Sequence, residues 1–551
     1  MKKSALSALC LAWAVAGLPA LAQQKKPPQA PEPPVFGETL EVRVVNVEVV
    51  VTDKDGNRVT GLKPGDFKLK VDGKDVPVTY FTEVAGGQSV APPAAAEGAP
   101  APATAAVPGV EPGGGVGTSY LVFIDDYFST EVKRNEILRS LKSDLARLGP
   151  EDRMAIVTYD GGRLAMISNW SQSQAQLARA FDDAMGRRPR GLDRIVEYQR
   201  FAHDEEFAGG TAGDSAPLDL ASASSRQGFS QLNLREKAYG EVLFRQEQGV
   251  VNAVARTLRT FAAPPGRKVL LLLDGGWPYS IQGFIRGDAA PSTSREFKDG
   301  EELLRNLTNT ANLLGYTVYP IDGQGLQSAD ESSTSSRVQE ITGTLDFVAQ
   351  ETGGTTLRAG NRTLALAKAA GDTRSYYWLG FSPSWEHNDA RHKVDVSVSK
   401  PGLKVRSRNS FLDLSKKTEV TMMVESALLF GNLPGDSPLP LRIGALKKVK
   451  GGTEIPITLG LPADVVTLVQ VGNKYAAHAE LRFAASDETG NGSEIPVVPL
   501  DIASDKPAKP GGFIKYETKI TLKGKANRLV ATVYDPVSGK LATAETALTM
   551  P

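Results

Sequence analysis

The sequence predicts an α/β fold, a doubly wound Rossmann-like sheet, combined with all-β sandwich domains. Three observations carry this prediction. Between residues 118 and 372, apolar runs of strand length alternate with longer helical stretches, and strand–helix alternation builds a parallel sheet. The run Val269-Leu270-Leu271-Leu272-Leu273 is apolar without alternation, as a central strand covered on both faces requires. On either side of this region, over 38–84 and again over 375–408, the apolar period falls to two, the mark of antiparallel strands with one buried face.

Taken in order, the chain opens with Met1-Lys2-Lys3, an apolar stretch and Ala20-Leu21-Ala22. A basic start, an apolar core and a small-residue cleavage site form a secretory signal. Residues 1–22 are therefore expected to be a signal peptide, and the protein to be exported to a periplasm, a cell surface or the medium. The single cysteine, Cys10, lies inside this segment, which excludes disulfides and thiol chemistry from the mature chain. Residues 23–35, rich in Pro, Gln and Lys, read as a flexible leader. Residues 36–84 hold a few strands, fewer than a closed sandwich needs, and 85–117 form an Ala/Pro/Gly linker.

The α/β domain is assigned to 118–372, with strands near 120–124, 154–159, 269–273, 316–321 and 355–357. Its helices are placed over 131–148, 173–185, 236–261, 301–314 and 338–350. Residues 186–234 are polar and rich in Gly and Ser, and an irregular insertion is expected there. Residues 373–414 return to strand period and would complete the N-terminal strands into one immunoglobulin-like sandwich, with the α/β domain inserted into it. Residues 417–551 alternate between turn signals and predict a second β-sandwich.

Lys plus Arg and Asp plus Glu are equal at 63 each, so no net field draws the chain to nucleic acid or to an anionic membrane. No segment after the signal is long and apolar enough to span a bilayer.

The first α/β strand runs into Asp125-Asp126-Tyr127-Phe128-Ser129, and the leucine run ends in Asp274-Gly275-Gly276. In a doubly wound sheet the carboxyl ends of such strands converge on the crevice where ligands bind. Together with Val50-Val51-Thr52-Asp53-Lys54-Asp55-Gly56-Asn57 and Gly61-Leu62-Lys63-Pro64-Gly65-Asp66-Phe67 upstream, and Tyr376-Tyr377-Trp378-Leu379-Gly380-Phe381 and Leu403-Lys404-Val405-Arg406-Ser407-Arg408 downstream, these motifs resemble the von Willebrand factor A-type (VWFA) proteins secreted by bacteria. The resemblance covers most of 36–412.

It implies a metal-ion-dependent adhesion site. There an Asp-x-Ser-x-Ser loop, a Thr and the Asp of an Asp-Gly turn hold Mg²⁺ or another divalent cation and leave one position for an acidic group of a partner. Asp125, Ser129 and Asp274 match that pattern, and Thr211 in Gly209-Gly210-Thr211 is the candidate threonine. The middle serine is replaced by Tyr127, whose phenol reaches too far to stand in for a short hydroxyl, so the site is degenerate. Asp126, Tyr127 and Gly275 would line the ligand position. Without metal, Asp125 and Asp126 would instead cap the helix expected near Ser129.

The resemblance implies an exported protein-interaction or adhesion module, not an enzyme, whose partner is an unknown extracytoplasmic protein. Two alternatives stand beside it. One is a metal-dependent extracytoplasmic hydrolase using the Asp125/Asp274 crevice, and the other a structural envelope component with a vestigial site. Gly213-Asp214-Ser215 lacks the partners that define a hydrolytic triad, and Asp53 to Asn57 reads as a hairpin turn rather than a calcium loop. The cluster Arg187-Arg188-Pro189-Arg190, with Arg194, is the densest basic segment and sits beside the expected crevice.

Overall fold

The computed structural model describes residues 44–90, 111, 113–209, 218–262, 266–286, 300–323, 336–430, 433–435, 437–486, 495–507, 509, 511–522, 526 and 528–550. The expected signal peptide, leader, most of the linker and Thr211 lie outside the described residues.

Alternating burial sorts the first strands into two sheets. β1 (Val45–Thr52), β2 (Phe67–Val71), β3 (Lys74–Val76), β4 (Tyr80–Ala85) and β5 (Gln88–Ser89) come before the α/β segment. β11 (Ser375–Phe381), β12 (Arg391–Val398), β13 (Lys404–Arg406) and β14 (Ser410–Leu412) come after it. The two groups interleave: one sheet runs β13-β1-β11-β4-β5 and the other β14-β12-β2-β3. Val47, Val49, Phe67, Leu69, Tyr377, Leu379 and Val394 close the core between them. The aromatic run 376–378 is buried, with Tyr377 turned to this core and Tyr376 and Trp378 to its reverse side. At the expected hairpin turn, Asp53 accepts hydrogen bonds from the amides of Asp55 and Asn57.

Between the two groups stands the α/β segment. Its elements are β6 (Thr118–Asp125), α1 (Glu131–Ser143), β7 (Arg153–Tyr159), β8 (Leu164–Ser171), α2 (Gln174–Met185), α3 (Gly191–Gly209) and α4 (Leu218–Thr260), then β9 (Arg267–Asp274), α5 (Ile281–Arg286), α6 (Gly300–Leu313), β10 (Tyr316–Asp322), α7 (Ser336–Thr352) and α8 (Ala365–Arg374). The sheet order is β10-β9-β6-β7-β8. All pairings are parallel except β7 with β8. The period of two sends Leu121, Phe123, Leu270 and Leu272 to one face, against α4, α5, α6 and α7. Tyr120, Val122, Ile124, Leu271 and Leu273 go to the other, against α1, α2 and α8. From β6 the chain first builds outward through β7 and then returns to β9 on the opposite side of β6. The crevice where its direction reverses therefore opens between the carboxyl ends of β6 and β9.

Residues 186–234 were expected to be irregular, but α3 and α4 cover most of them. The buried positions of α3, Gly191, Ile195 and Tyr198, follow the helical period, which the surrounding Gly and Ser hide. β8, an antiparallel edge strand, had no expectation at all; its burial pattern does not alternate cleanly.

The region from 417 does not begin with a strand. α9 (Lys416–Phe430) is helical, because Val420, Val424, Ala427 and Leu428 recur at helical spacing although the segment is rich in β-branched residues. Val424, Ala427 and Leu428 pack on Ala484 and Val530, and Glu425 receives Arg256 and Arg259 of α4. Beyond α9 lie two facing sheets. In one, Gly452–Pro462 pairs with Phe513–Leu522; in the other, Lys474–Ser486 lies between Val497–Ser504 and Arg528–Tyr534. Ile455, Ile457 and Leu459 meet Leu481, Phe483 and Val533 in the shared core.

Candidate functional site

Asp125 ends β6 and is fully buried. Its carboxylate is saturated by the protein itself. The amides of Tyr127 and Phe128 donate to Oδ1 at 3.0 and 3.1 Å, and the amide of Gly275 and the indole Nε1 of Trp277 donate to Oδ2 at 3.2 and 2.8 Å. One side chain thus folds its own loop and fastens it to the loop after β9. Burial pushes the Asp125 carboxyl up to about 6, against the pull of those four donors.

Asp274 ends β9. Gly276 turns back at φ 106°, a conformation that glycine adopts freely, and the amides of Gly276 and Trp277 donate to Asp274 Oδ1 at 2.6 and 3.2 Å. Asp274 Oδ2 is buried with no hydrogen-bond partner, and so is Ser129 Oγ. Burial first, and then the charge of Asp125, raise the Asp274 carboxyl well above the ordinary aspartate range.

Three glycines bring the backbone close around Ser129. A Cβ on Gly275 would stand 2.4 Å from the Ser129 amide nitrogen, and one on Gly191 would stand 2.3 Å from the Ser129 carbonyl oxygen. A Cβ on Gly323 would meet the Asp274 carbonyl oxygen at 2.6 Å and Ser129 Oγ at 3.2 Å. Asp125, Ser129, Asp274 and Gly275 are thereby gathered in one place.

Asp126 and Tyr127 are not part of that group. Asp126 is buried and pairs with Arg134 of α1, Nη1 to Oδ1 at 2.6 Å. The other terminal nitrogen of Arg134 donates to the carbonyls of Met185 and Arg187. Tyr127 packs on Gly161, where a Cβ would lie 2.1 Å from its ring, and lies under the Arg194 guanidinium at 4.8 Å. Its hydroxyl accepts from Arg194 Nη1 at 2.8 Å. Neither aspartate caps α1. The helix starts at Glu131 behind Thr130, and Asp125 serves the turn before it.

Arg134 and Trp277 are functional groups of this site that motif reading missed. An arginine set within the apolar stripe Ile137, Leu138, Leu141 was a readable signal of a buried pair. A tryptophan directly after Asp-Gly-Gly was a weaker one.

A hard divalent cation wants about six oxygens. The described residues offer two unpartnered ones, Ser129 Oγ and Asp274 Oδ2; both oxygens of Asp125 and the hydroxyl of Tyr127 face N–H donors. Among the described residues, no three His, Cys, Asp or Glu side chains converge for a metal. Among the described residues, this donor set does not by itself complete a Mg²⁺ site, and Thr211 lies outside them.

The raised carboxyls set a pH dependence. A carboxyl whose pKa is raised by folding favours the protonated fold, so its stabilising contribution is complete below the unfolded value of about 3.9. It is lost as pH rises through the folded value, near 6 for Asp125 and well above the ordinary aspartate range for Asp274. Asp274→Asn keeps an oxygen for the two amides and removes the buried charge. It is expected to raise unfolding stability by about 1–3 kcal/mol at pH 8 and to leave it unchanged at pH 4, measured by urea titration at both pH values. A loss at pH 8 would show that the Asp274 charge is compensated in the fold.

No family model and no curated protein matches the sequence. Among solved structures, the N-terminal domain of TFIIH p34 is 12% identical, with 45% of this chain and 94% of that chain covered at a TM-score of 0.18. A β-glucosidase from Kluyveromyces marxianus is 11% identical, with 54% of this chain and 33% of that chain covered at a TM-score of 0.13. Overlaps this slight carry no argument, and the site stands on its own geometry.

Proposed function

We propose that the chain is an exported protein-interaction module, a Rossmann-like von Willebrand A-type domain inserted into one immunoglobulin-like sandwich and followed by a second, which binds an extracytoplasmic partner beside its carboxyl-edge crevice without a resident metal. One observation carries this reading: an exposed patch bolted to the crevice loop. The Arg190 amide donates to the Asp126 carbonyl at 2.7 Å and the Gly191 amide to the Ser129 carbonyl at 3.1 Å. These bonds fix the start of α3. There Leu192 and Val196, 65% and 43% exposed, are one turn apart and share a face, with exposed Arg188, Arg190, Asp193 and Arg200 on the same segment. Apolar side chains flanked by arginine are the composition that protein interfaces favour, and the exposed arginines, which outnumber Asp193, favour a partner with acidic groups.

Capture from envelope extract, with the signal-free protein as bait, tests the reading. The double substitution Leu192→Asp, Val196→Asp is expected to abolish capture of a partner that the parent protein retains, with the melting temperature unchanged and with equal capture in EDTA and in millimolar Mg²⁺. Capture that survives the double substitution overturns the surface; capture that EDTA abolishes overturns the metal-free mode.

A further inference from the structure

At the opposite edge of the parallel sheet, where β6, β7, β9 and β10 begin, a cavity of about 710 Å³ lies between the α/β segment and the sheet of β1 and β11. Its volume falls in the range of small-molecule sites. Arg408 and Trp378 line it and are 8% and 5% exposed. Arg408 uses Nη1 on the Asn312 carbonyl at 2.7 Å, but its Nε has no partner, and neither has the Trp378 indole nitrogen. Lys268 also lines the cavity and donates to the Ala262 carbonyl at 3.0 Å.

Arg267, Lys268 and Arg408 gather around Glu48, the one carboxylate of this buried group among the described residues. Glu48 lies 3.7 Å from Arg267, which also sits over the Tyr376 ring at 4.8 Å. The carboxylates of Glu111 and Glu151 and the guanidinium of Arg153 line the cavity too, but Glu111 and Glu151 are exposed and remain in water. Burial holds the Lys268 ammonium down at about 8, against the attraction of Glu48 and with the smaller repulsion of Arg408. Buried cations and donors left without acceptors are costly, and an anion would supply what the protein does not.

We infer that this cavity is a binding site for a small molecule bearing an oxyanion, a phosphate, sulfate or carboxylate group, held among the side chains of Arg408, Trp378 and Lys268; the buried and unpartnered N–H groups of Arg408 and Trp378 lie in its wall. The site is independent of the crevice and of any partner bound there. Because its walls come from both β1–β11 and the α/β segment, occupancy joins the two.

Melting of the full chain at fixed ionic strength, with chloride replaced stepwise by inorganic phosphate, sulfate or acetate, tests the inference. A ligand that binds only the folded state raises stability as RT ln(1 + [L]/Kd), so at least one of the three anions is expected to raise the melting temperature saturably. The anion that does so tells a tetrahedral from a planar oxyanion. Trp378→Phe removes the indole donor and keeps a ring, and Lys268→Met removes the nearest ammonium. Each is expected to weaken the apparent affinity at least tenfold, and weakening in either variant supports the site. No stabilisation by any of the three anions relative to chloride, or a stabilisation unchanged in both variants, overturns it.

Discussion

Replacing Asp125 by alanine is expected to lower the free energy of unfolding by about 4–6 kcal/mol, because a buried donor that loses its acceptor costs about 1–3 kcal/mol. Four donors depend on this carboxylate: three backbone amides and the Trp277 indole. Their losses are not additive, since one relaxation of the loop serves several of them. Asp125→Asn retains one acceptor oxygen and is expected to lose about half as much. Urea denaturation followed by tryptophan fluorescence reads both variants, and Trp277 reports the broken bond directly. A loss below 1 kcal/mol in Asp125→Ala would show that the loop after β6 is held by something else.

The second large effect is expected at Arg134. Arg134→Met leaves Asp126 buried beside an apolar side chain, and breaking a buried pair from one side costs about 3–5 kcal/mol. It also frees the carbonyls of Met185 and Arg187, which anchor the end of α2. The double variant Asp126→Leu, Arg134→Met removes both charges and is expected to recover most of the loss, as paired apolar replacement does in other buried pairs. Equilibrium unfolding of the two single variants and the double variant gives the coupling. Recovery of less than 1 kcal/mol would mean that the carbonyl bonds, and not the ion pair, hold this corner.

Both effects belong to groups of which the sequence displays only half. Asp125, Ser129, Asp274 and Gly275 are visible because they fall where apolar strands end, and strand ends in an α/β sheet are where sites form. Their partners are not visible. The Trp277 indole reaches Asp125 across 152 positions, and no local pattern records which donor meets which carboxylate. The sheet is legible for the opposite reason: β6 and β9 are covered on both faces, so their apolar runs are unbroken. α9 and α3 are less legible, because β-branched residues in one and the Gly- and Ser-rich stretch that follows the other obscure a helical period that burial against neighbouring elements enforces. Tyr127 looks like a defect in a metal-binding loop when its letter is read alone. In three dimensions it is the floor under Arg194 and the wall against Gly161.

The interleaving of β1 with β11 also governs how the molecule responds to tension. Val45 lies opposite Phe381, so the pairing closes a loop that contains the whole α/β segment. The two places where the chain passes between the segments meet at one residue: the Gly87 amide donates to the Arg374 carbonyl, and its carbonyl accepts from the Val116 amide, both at 2.9 Å. A pull applied across Val45 and Phe381 therefore loads the β1–β11 pairing before the chain of the α/β segment that lies between them. Until that pairing unzips, the loop it closes is not drawn out along its length.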